Sequence, residues 1–488
     1  MSISVLERQS DESIQSQLRR SIIAAIHAGQ MTPGQKLLPS RRLAEQLGIA
    51  RNTVTAVYEE LVARGYLDAL PRQGYFVGRG LPADAGQIRT EAQAPLRGGA
   101  INWQGRLKQA PSTLRHIVKP SNWQDFDYPF IYGQVDPNLF PINTWRTCSR
   151  DALGRAAIDW WTADRAVEDD PLLIEQIRTQ ILPQRGIFVR EDQILVTLGT
   201  QQGIYLLARL LARRGTRVGI EVPGYPDGRN IFAAEQAEIV DLPVDAEGAD
   251  LSGAGPLDLA VLTPAHQCPT MVSMSERRRD RIYATARAHG TILIEDDFEG
   301  ELSGSGEAGT LKSRDTDGRV VYLGTMSKVL APGVRIGFMV ADAALIREAL
   351  WLRRLMHRST PLNNQRTAGI FLAEGHYTAL LRSLRTAHEA RWRRMADGCD
   401  RHLPGFRRSP ATGGSCLWLE CPPDIDGRAL ADRAADLGVL IESGDPFMPE
   451  AQAGRFIRLG ISYISERRID PGLERLGRAA REVGRATG

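Results

Sequence analysis

The sequence predicts a multi-domain protein: an N-terminal winged helix-turn-helix, then an α/β domain with a mainly parallel seven-stranded sheet and a smaller C-terminal α+β part. Three observations carry this. A chain of 488 residues is too long for one hydrophobic core. Its first 78 residues read as three helices followed by two short strands. Beyond about residue 116, seven apolar runs alternate with longer amphipathic stretches, the order that lays parallel strands beneath covering helices.

In the first 78 residues, Ile14, Leu18, Ile22, Ile23 and Ile26 recur at helical spacing and Gly29 supplies a stop, giving a helix over 13–28. Pro39-Ser40 offers a cap to a helix over 41–47, Gly48 breaks the chain, and a longer helix follows over 52–64. Residues 66–68 and 74–77 read as two strands of a wing around Pro71-Arg72-Gln73. Residues 79–115 are expected to be a linker, because the run from Arg79 to Ala100 is rich in Gly, Ala, Pro, Gln and Arg with little apolar periodicity. In the domain over 116–488, the expected strands are 194–198, 217–221, 239–242, 257–263, 291–295, 319–323 and 336–340. Arg-rich helical faces follow, and a small subdomain from about 380 to 488 holds the apolar runs 415–420 and 455–460.

Composition narrows the function classes. A net charge of +3 and a pI near 8.6 permit an anionic partner without demanding one, so any nucleic-acid reading must come from local arrangement. The N-terminus has neither the basic flank nor the apolar block of a secretion signal, and no apolar run is long enough to span a bilayer. The expectation is a soluble, cytoplasmic protein with no membrane partner. Cys148, Cys268, Cys399, Cys416 and Cys421 are odd in number and lack Cys-x-x-Cys spacing, which predicts reduced thiols, no disulfide framework and no metal site.

In a winged helix the second helix of the motif enters the major groove and its N-terminal side chains meet bases and phosphates. Here these are Arg51, Asn52, Thr53 and Thr55. Arg41, at the start of the preceding helix, is placed for a phosphate, and Arg72 with the backbone near Gly74 forms a wing tip suited to the minor groove. The expected partner is double-stranded operator DNA. The stretches Pro-Gly-Gln-Lys-Leu-Leu-Pro-Ser-Arg-Arg-Leu-Ala (33–44), Leu-Gly-Ile-Ala-Arg-Asn-Thr-Val (47–54) and Gly-Tyr-Leu (65–67) resemble the GntR family of bacterial regulators. That resemblance implies Arg41, Arg51, Thr53 and Gly74 as DNA contacts.

The larger domain turns on Lys328. Only five of the 61 Lys plus Arg residues are lysine, and an arginine cannot lose its proton and condense with an aldehyde as a lysine can. Lys328 follows an apolar strand, where open α/β sheets build ligand sites. Other strand ends supply what a cofactor with a phosphate, a pyridine nitrogen and an aldehyde requires. Gly199-Thr200-Gln201 opens a helix whose free NH groups suit a phosphate. Arg335 adds a bidentate charge, and Thr325 and Ser327 add hydroxyls. Asp296 can pair with a protonated ring nitrogen, although an acidic pair at a strand end also suits a metal or a solvated corner. Tyr225 can stack.

These groups resemble fold-type-I aminotransferases, through Thr263-Pro264-Ala265-His266-Gln267-Cys268-Pro269-Thr270, Ile294-Glu295-Asp296-Asp297 and the stretch from Gly324 to Gly333 that contains Lys328. With the N-terminal domain, the chain resembles the MocR subfamily of GntR regulators. The resemblance implies pyridoxal 5'-phosphate as cofactor, bound as an aldimine on Lys328, with Asp296 at the ring nitrogen, Arg335 at the phosphate and Tyr225 stacking. It places Gly199, Thr200, Gln201, Thr325, Ser327, His266 and Phe298 around the cofactor and Arg458 at the carboxylate of an amino compound. It further implies a homodimer whose effector displaces Lys328 by transimination.

Three positions depart from the family's pattern. Phe298 replaces a tyrosine whose hydroxyl would bond the ring, Met271 replaces a glycine, and 161–171 lacks a Gly-rich run. A ring without a hydroxyl cannot donate a proton, so sensing is expected over turnover. The alternatives are an active aminotransferase carrying a DNA-binding domain and a regulator whose sensor domain has lost pyridoxal phosphate. Asp227, two residues beyond Tyr225, is expected near the distal end of the effector.

Overall fold

A computed structural model describes residues 12–78, 101–302, 309–452 and 454–487. The chain divides into two compact units between Lys108 and Gln109.

The smaller unit holds helices Ile14–His27, Ser40–Leu47 and Arg51–Ala63, then an antiparallel hairpin of Leu67–Leu70 with Gly74–Val77. Leu18, Ile22 and Ile26 from the first helix meet Leu43, Val54, Val57, Leu61, Leu67 and Val77 in one buried core, the period expected of an amphipathic stripe closing on its neighbours. Gly48, at φ 65°, ends the second helix in the left-handed region. One expectation is corrected. Ser40 is the first residue of its helix and makes no cap bond; Pro39 takes the cap position, because its fixed φ of −55° leaves it extended while its carbonyl accepts from Leu43 at 3.0 Å.

The larger unit is built on an eight-stranded sheet in the order Ile194–Thr197, Gly337–Val340, Val320–Thr325, Ile292–Asp297, Leu259–Leu262, Arg217–Val222, Glu238–Asp245 and Gly248–Ala249. The seven expected runs are all strands. The eighth, a two-residue edge strand, carries no period for sequence to show, and it forms because Gly248 at φ 94° folds the chain back on Val244 and Asp245. Gly337–Val340 runs antiparallel to both neighbours, and the four pairings from Val320–Thr325 across to Glu238–Asp245 are parallel.

Side chains alternate across this sheet as strand geometry requires. Ile194, Val196, Tyr322, Phe338 and Val340 pack on one face with Leu362–Ala373 and the start of His376–His402. Leu195, Val321, Leu323 and Met339 pack on the other with Thr200–Leu211 and Ala343–His357. Two covered faces put the free strand ends at one edge of the sheet, where the site lies.

The C-terminal part pairs Cys416–Glu420 with Phe456–Gly460 in a four-stranded antiparallel sheet under His376–His402, Gly427–Asp436 and Glu466–Thr487. Tyr128–Pro129 also joins this part, parallel to Val439–Leu440. Of the expected linker, 79–100 lies outside the described residues. From Gln109 the chain runs along the larger unit: Gln109 Nε2 donates to the Ala234 carbonyl at 3.3 Å, and Asn230 Nδ2 donates to the Arg115 carbonyl at 2.8 Å. No helix among the described residues is long and apolar enough to cross a membrane.

Candidate functional site

A cavity of about 240 Å³ opens at the strand ends of the large sheet. Gly199, Thr200, Gln201, Tyr225, Asp296, Phe298, Thr325, Ser327, Lys328, Arg335 and Arg458 all line it, drawn together from segments scattered over more than half the chain. Local geometry explains how. Gly199 sits at φ 95° between strand and helix, and a Cβ there would lie 3.4 Å from the Arg335 guanidinium. Arg335 itself turns through the left-handed region at φ 53° and donates to the Leu198 carbonyl. The free NH groups of Thr200–Leu211 and a guanidinium therefore face one corner, a seat for a dianion.

Strand Ile292–Asp297 separates its three acids by alternation. Glu295 accepts the Leu311 and Lys312 amides at 3.0 and 2.9 Å. Asp297 lies on the same face, 2.8 Å from Arg185 and accepting the Tyr322 hydroxyl at 2.7 Å. Asp296 alone of the three lines the cavity. It is buried, its Oδ1 has no hydrogen-bond partner, and burial pushes its carboxyl up to about 7, with the Thr200 hydroxyl opposing.

Lys328 is half-buried, with its Nζ 4.1 Å from the centre of the Tyr132 ring. Burial holds its pKa below the usual lysine range, with Glu299 pulling the other way and Arg458 adding to the depression. An amine so placed keeps a nucleophilic neutral fraction at lower pH than a surface lysine. Ser327 is buried beside it, its Oγ without a partner.

Two expected residues stand elsewhere. His266 lines a second cavity of about 340 Å³ with Arg385, His388 and Trp392, whereas Cys268, two residues on, lines the first. Asp227 is engaged by His116 Nδ1 at 2.9 Å and accepts the Tyr225 hydroxyl at 3.3 Å, so its carboxylate has partners within the chain. Arg458 lies in the cavity but is not a free cation. Its Nε and Nη2 both donate to Glu442 at 3.0 Å, and it lies between the rings of Tyr132 and Phe447 at 4.3 and 4.5 Å.

Sequence reasoning missed Lys119, Tyr132, Gly133 and Cys268 in the wall. Lys119 carried one available signal, being one of only five lysines. Tyr132 stands in the apolar run Phe130-Ile131-Tyr132, which by itself reads as core.

In the smaller unit, Arg51 and Asn52 are exposed at the start of Arg51–Ala63, Thr53 and Thr55 are half-buried, and Val54, Val57, Tyr58 and Leu61 fill the core behind them. Arg41 is exposed and 3.3 Å from Glu45. Arg72, at φ 65°, and Gly74, at φ 106°, stand exposed at the hairpin tip. The polar side chains at this helix end are free of core duties, as a reading surface requires.

Comparison with known proteins matches both units. Residues 175–476 fit the family model for aminotransferase class I and II, and residues 14–77 fit that for bacterial regulatory proteins of the gntR family. The chain is 38% identical to the HTH-type transcriptional regulator TauR of Rhodobacter capsulatus, over 96% of this chain and 97% of that one. It is 30% identical to the probable rhizopine catabolism regulatory protein MocR of Rhizobium meliloti, over 82% and 80% respectively. Among solved structures, the kynurenine aminotransferase of Pyrococcus horikoshii, in complex with PMP, aligns with a TM-score of 0.69 and 26% identity, covering 78% of this chain and 98% of that one.

Proposed function

We propose, since the chain belongs to the MocR subfamily of GntR transcription regulators, that its aminotransferase-like unit binds pyridoxal 5'-phosphate through Lys328 and senses a small amino compound there. The chain is a DNA-binding regulator; the proposal concerns what the larger unit detects. The observation that carries it is the pairing, in one cavity, of a half-buried lysine with two orphaned polar atoms. Asp296 Oδ1 and Ser327 Oγ are buried without partners, a costly state unless another group completes them. A protonated pyridine nitrogen suits the first and a phosphate the second.

When bound, the cofactor supplies an aldehyde that condenses reversibly with primary amines. The chain's residues do the rest. Arg335, Ser327, Thr325 and the amides of Gly199, Thr200 and Gln201 would hold the phosphate, Tyr225 would cover the ring, and Asp296 would fix the charge on its nitrogen. Lys328 would hold the aldehyde end, and an effector amine that competed with it there would leave its half-buried side chain free to favour another arrangement. Phe298 offers a ring and no hydroxyl, which supports sensing over turnover. The test is spectroscopic: purified chain supplied with pyridoxal phosphate should show a visible band that shifts when primary amines are titrated in. A chain that retains no cofactor, or that converts amino acid and keto acid through many turnovers, would overturn this reading.

Two more expectations belong here. The DNA contacts are proposed to be Arg41, Arg51, Asn52, Thr53, Thr55, Arg72 and Gly74. Arg51→Ala should weaken operator binding roughly tenfold or more and reduce the salt slope by about 1 if the lost contact is a phosphate, without altering the visible band. An operator titration at several salt concentrations checks it, and unchanged affinity would remove Arg51 from the interface. A homodimer is proposed through Ala343–His357, where Trp351, Leu355 and Met356 are 50%, 79% and 43% exposed, with Tyr205 of the adjoining Thr200–Leu211 exposed as well. Leu355→Glu should shift sedimentation towards the monomer, because burying a carboxylate in an apolar contact costs on the order of 3 kcal/mol, roughly a hundredfold in dimer affinity.

A further inference from the structure

Away from the strand-end cavity, three side chains of the kinds that bind transition metals converge. Cys148 stands in the helix Ile142–Ala152, Glu374 is the C-terminal cap of Leu362–Ala373, and His376 opens His376–His402. Gly375 joins the last two at φ 79°, a left-handed turn that glycine permits and that brings both side chains to Cys148. Glu374 Oε2 accepts from the Cys148 thiol at 3.9 Å and lies 3.0 Å from His376 Nε2. One sulfur, one imidazole nitrogen and one carboxylate oxygen all stand within 4.8 Å of one another.

We propose that Cys148, Glu374 and His376 form a zinc site. Donor type and spacing both support it. A thiolate, an imidazole and a carboxylate together suit Zn²⁺ far better than Mg²⁺ or Ca²⁺, which seek oxygen alone. Donors about 2.0 to 2.3 Å from a tetrahedral zinc stand roughly 3.3 to 3.5 Å apart. The observed 3.9 and 3.0 Å separations straddle that range, and the third pair closes by rotation of the rim histidine. Burial is graded as an entry path requires. Cys148 is fully buried in the core that holds Phe371, while the Glu374 and His376 side chains are 49% and 38% exposed. Glu374 has no lysine or arginine partner among the described residues; its ion-pair partner is His376. On binding, the thiol proton leaves to solvent, the carboxylate and imidazole turn from each other to the metal, and water takes the fourth position.

The site lies at a joint of the larger unit. His376–His402 begins against the large sheet, with Tyr377, Leu380 and Leu384, and ends in the C-terminal core, with Met395 and Cys399. Zinc would fasten the first residue of that helix to Ile142–Ala152, a structural staple apart from the strand-end cavity, which none of the three residues lines. The cysteine spacing that argued against a metal could not report this set, because Cys148 and Glu374 stand 226 positions apart.

The experiment uses full-length chain without added pyridoxal phosphate, dialysed against a chelator and titrated with Zn²⁺, and with Co²⁺ as a spectroscopic probe. Wild type should bind one zinc per chain and melt higher with it. Cobalt should give the visible bands of a tetrahedral ion and a near-ultraviolet thiolate band. His376→Ala and Glu374→Gln, both on the exposed rim, should each weaken zinc roughly tenfold or more, since even the hydrogen-bond partners of metal ligands are worth about 10- to 100-fold. Cys148→Ser should lose the thiolate band, and Cys421→Ser, at another buried free cysteine, should keep it. The rim variants leave the core intact and decide the matter even if Cys148→Ser does not fold. A wild type that binds no zinc, a zinc affinity unchanged in either rim variant, or a thiolate band lost with Cys421 overturns the proposal.

Discussion

Lys328→Ala is expected to abolish the visible band that wild type shows with pyridoxal phosphate and to let the cofactor escape on dialysis. Of the two amines in the cavity, Lys119 and Lys328, Lys328 is the one at the end of strand Val320–Thr325 beside the unpartnered Ser327 Oγ, and its surroundings prepare it to bond the aldehyde. Burial lowers its pKa and Arg458 helps, so deprotonation needs less alkali than at the surface. Arginine in its place keeps the charge and fails chemically, so Lys328→Arg should lose the band as well. The alanine variant also strips a cation from Glu299, whose two oxygens are buried without partners, and some loss of stability is expected. Lys328→Arg keeps a cation beside Glu299 and separates the two effects: a band lost with melting temperature nearly preserved assigns the loss to chemistry. DNA affinity without effector should survive, because the winged helix has its own core. A band of wild-type intensity in either variant would sink the assignment of Lys328.

What sequence made legible here is what the chain encodes over short spans. Apolar runs between amphipathic stretches found all seven strands: six are buried along nearly their whole length, and Glu238–Asp245, largely exposed, still shows Ile239, Val240 and Leu242 in sequence. The Gly199 turn, the strand-end Asp296 and Lys328 were readable because strand, turn and catalytic-type side chain are neighbours in sequence. The winged helix was readable for the same reason, and its misread detail, Ser40 as cap, was lost to the residue beside it. What was hidden depends on partners far along the chain. Glu442 meets the amide of Tyr132 across 310 positions, and His116 meets Asp227 across 111; no periodicity reports such a pairing. Arg458 therefore looked like a free anion site until Glu442 appeared beside it. Lys119 sat in a stretch read as passing from linker to domain, where Arg115-His116-Ile117-Val118-Lys119 shows no strand or helix pattern, since the segment is positioned by the wall it lies against.

Asp296→Asn is expected to act in opposite directions on the two forms of the protein, and that reversal distinguishes a cofactor partner from a structural acid. In the cofactor-free chain, burial lifts the carboxyl from 3.8 to about 7. Between those values the folded chain holds a proton the unfolded chain has released, so stability falls as pH rises through that window and the penalty is complete above about pH 7. The ceiling on that penalty is ~4 kcal/mol. Asparagine has no charge to bury and can still accept from Thr200, so the free variant should melt higher than wild type at pH 8 and nearly level with it below pH 4. Glu221 and Glu295, buried and lifted to about 7 as well, titrate in both proteins and largely cancel in the difference. With pyridoxal phosphate bound, a protonated ring nitrogen would give Asp296 the partner that its Oδ1 lacks, and the charge turns from cost to asset. The amide cannot supply it. Cofactor affinity should fall roughly 10- to 100-fold, the range of a buried charge-assisted hydrogen bond, and the loaded variant should melt below loaded wild type. Melting curves of both proteins, with and without cofactor, at pH 3.5 and pH 8, together with a cofactor titration, read all of these. If Asp296→Asn binds pyridoxal phosphate as tightly as wild type, the carboxylate does not face the ring, and the orphaned oxygen belongs to some other ligand.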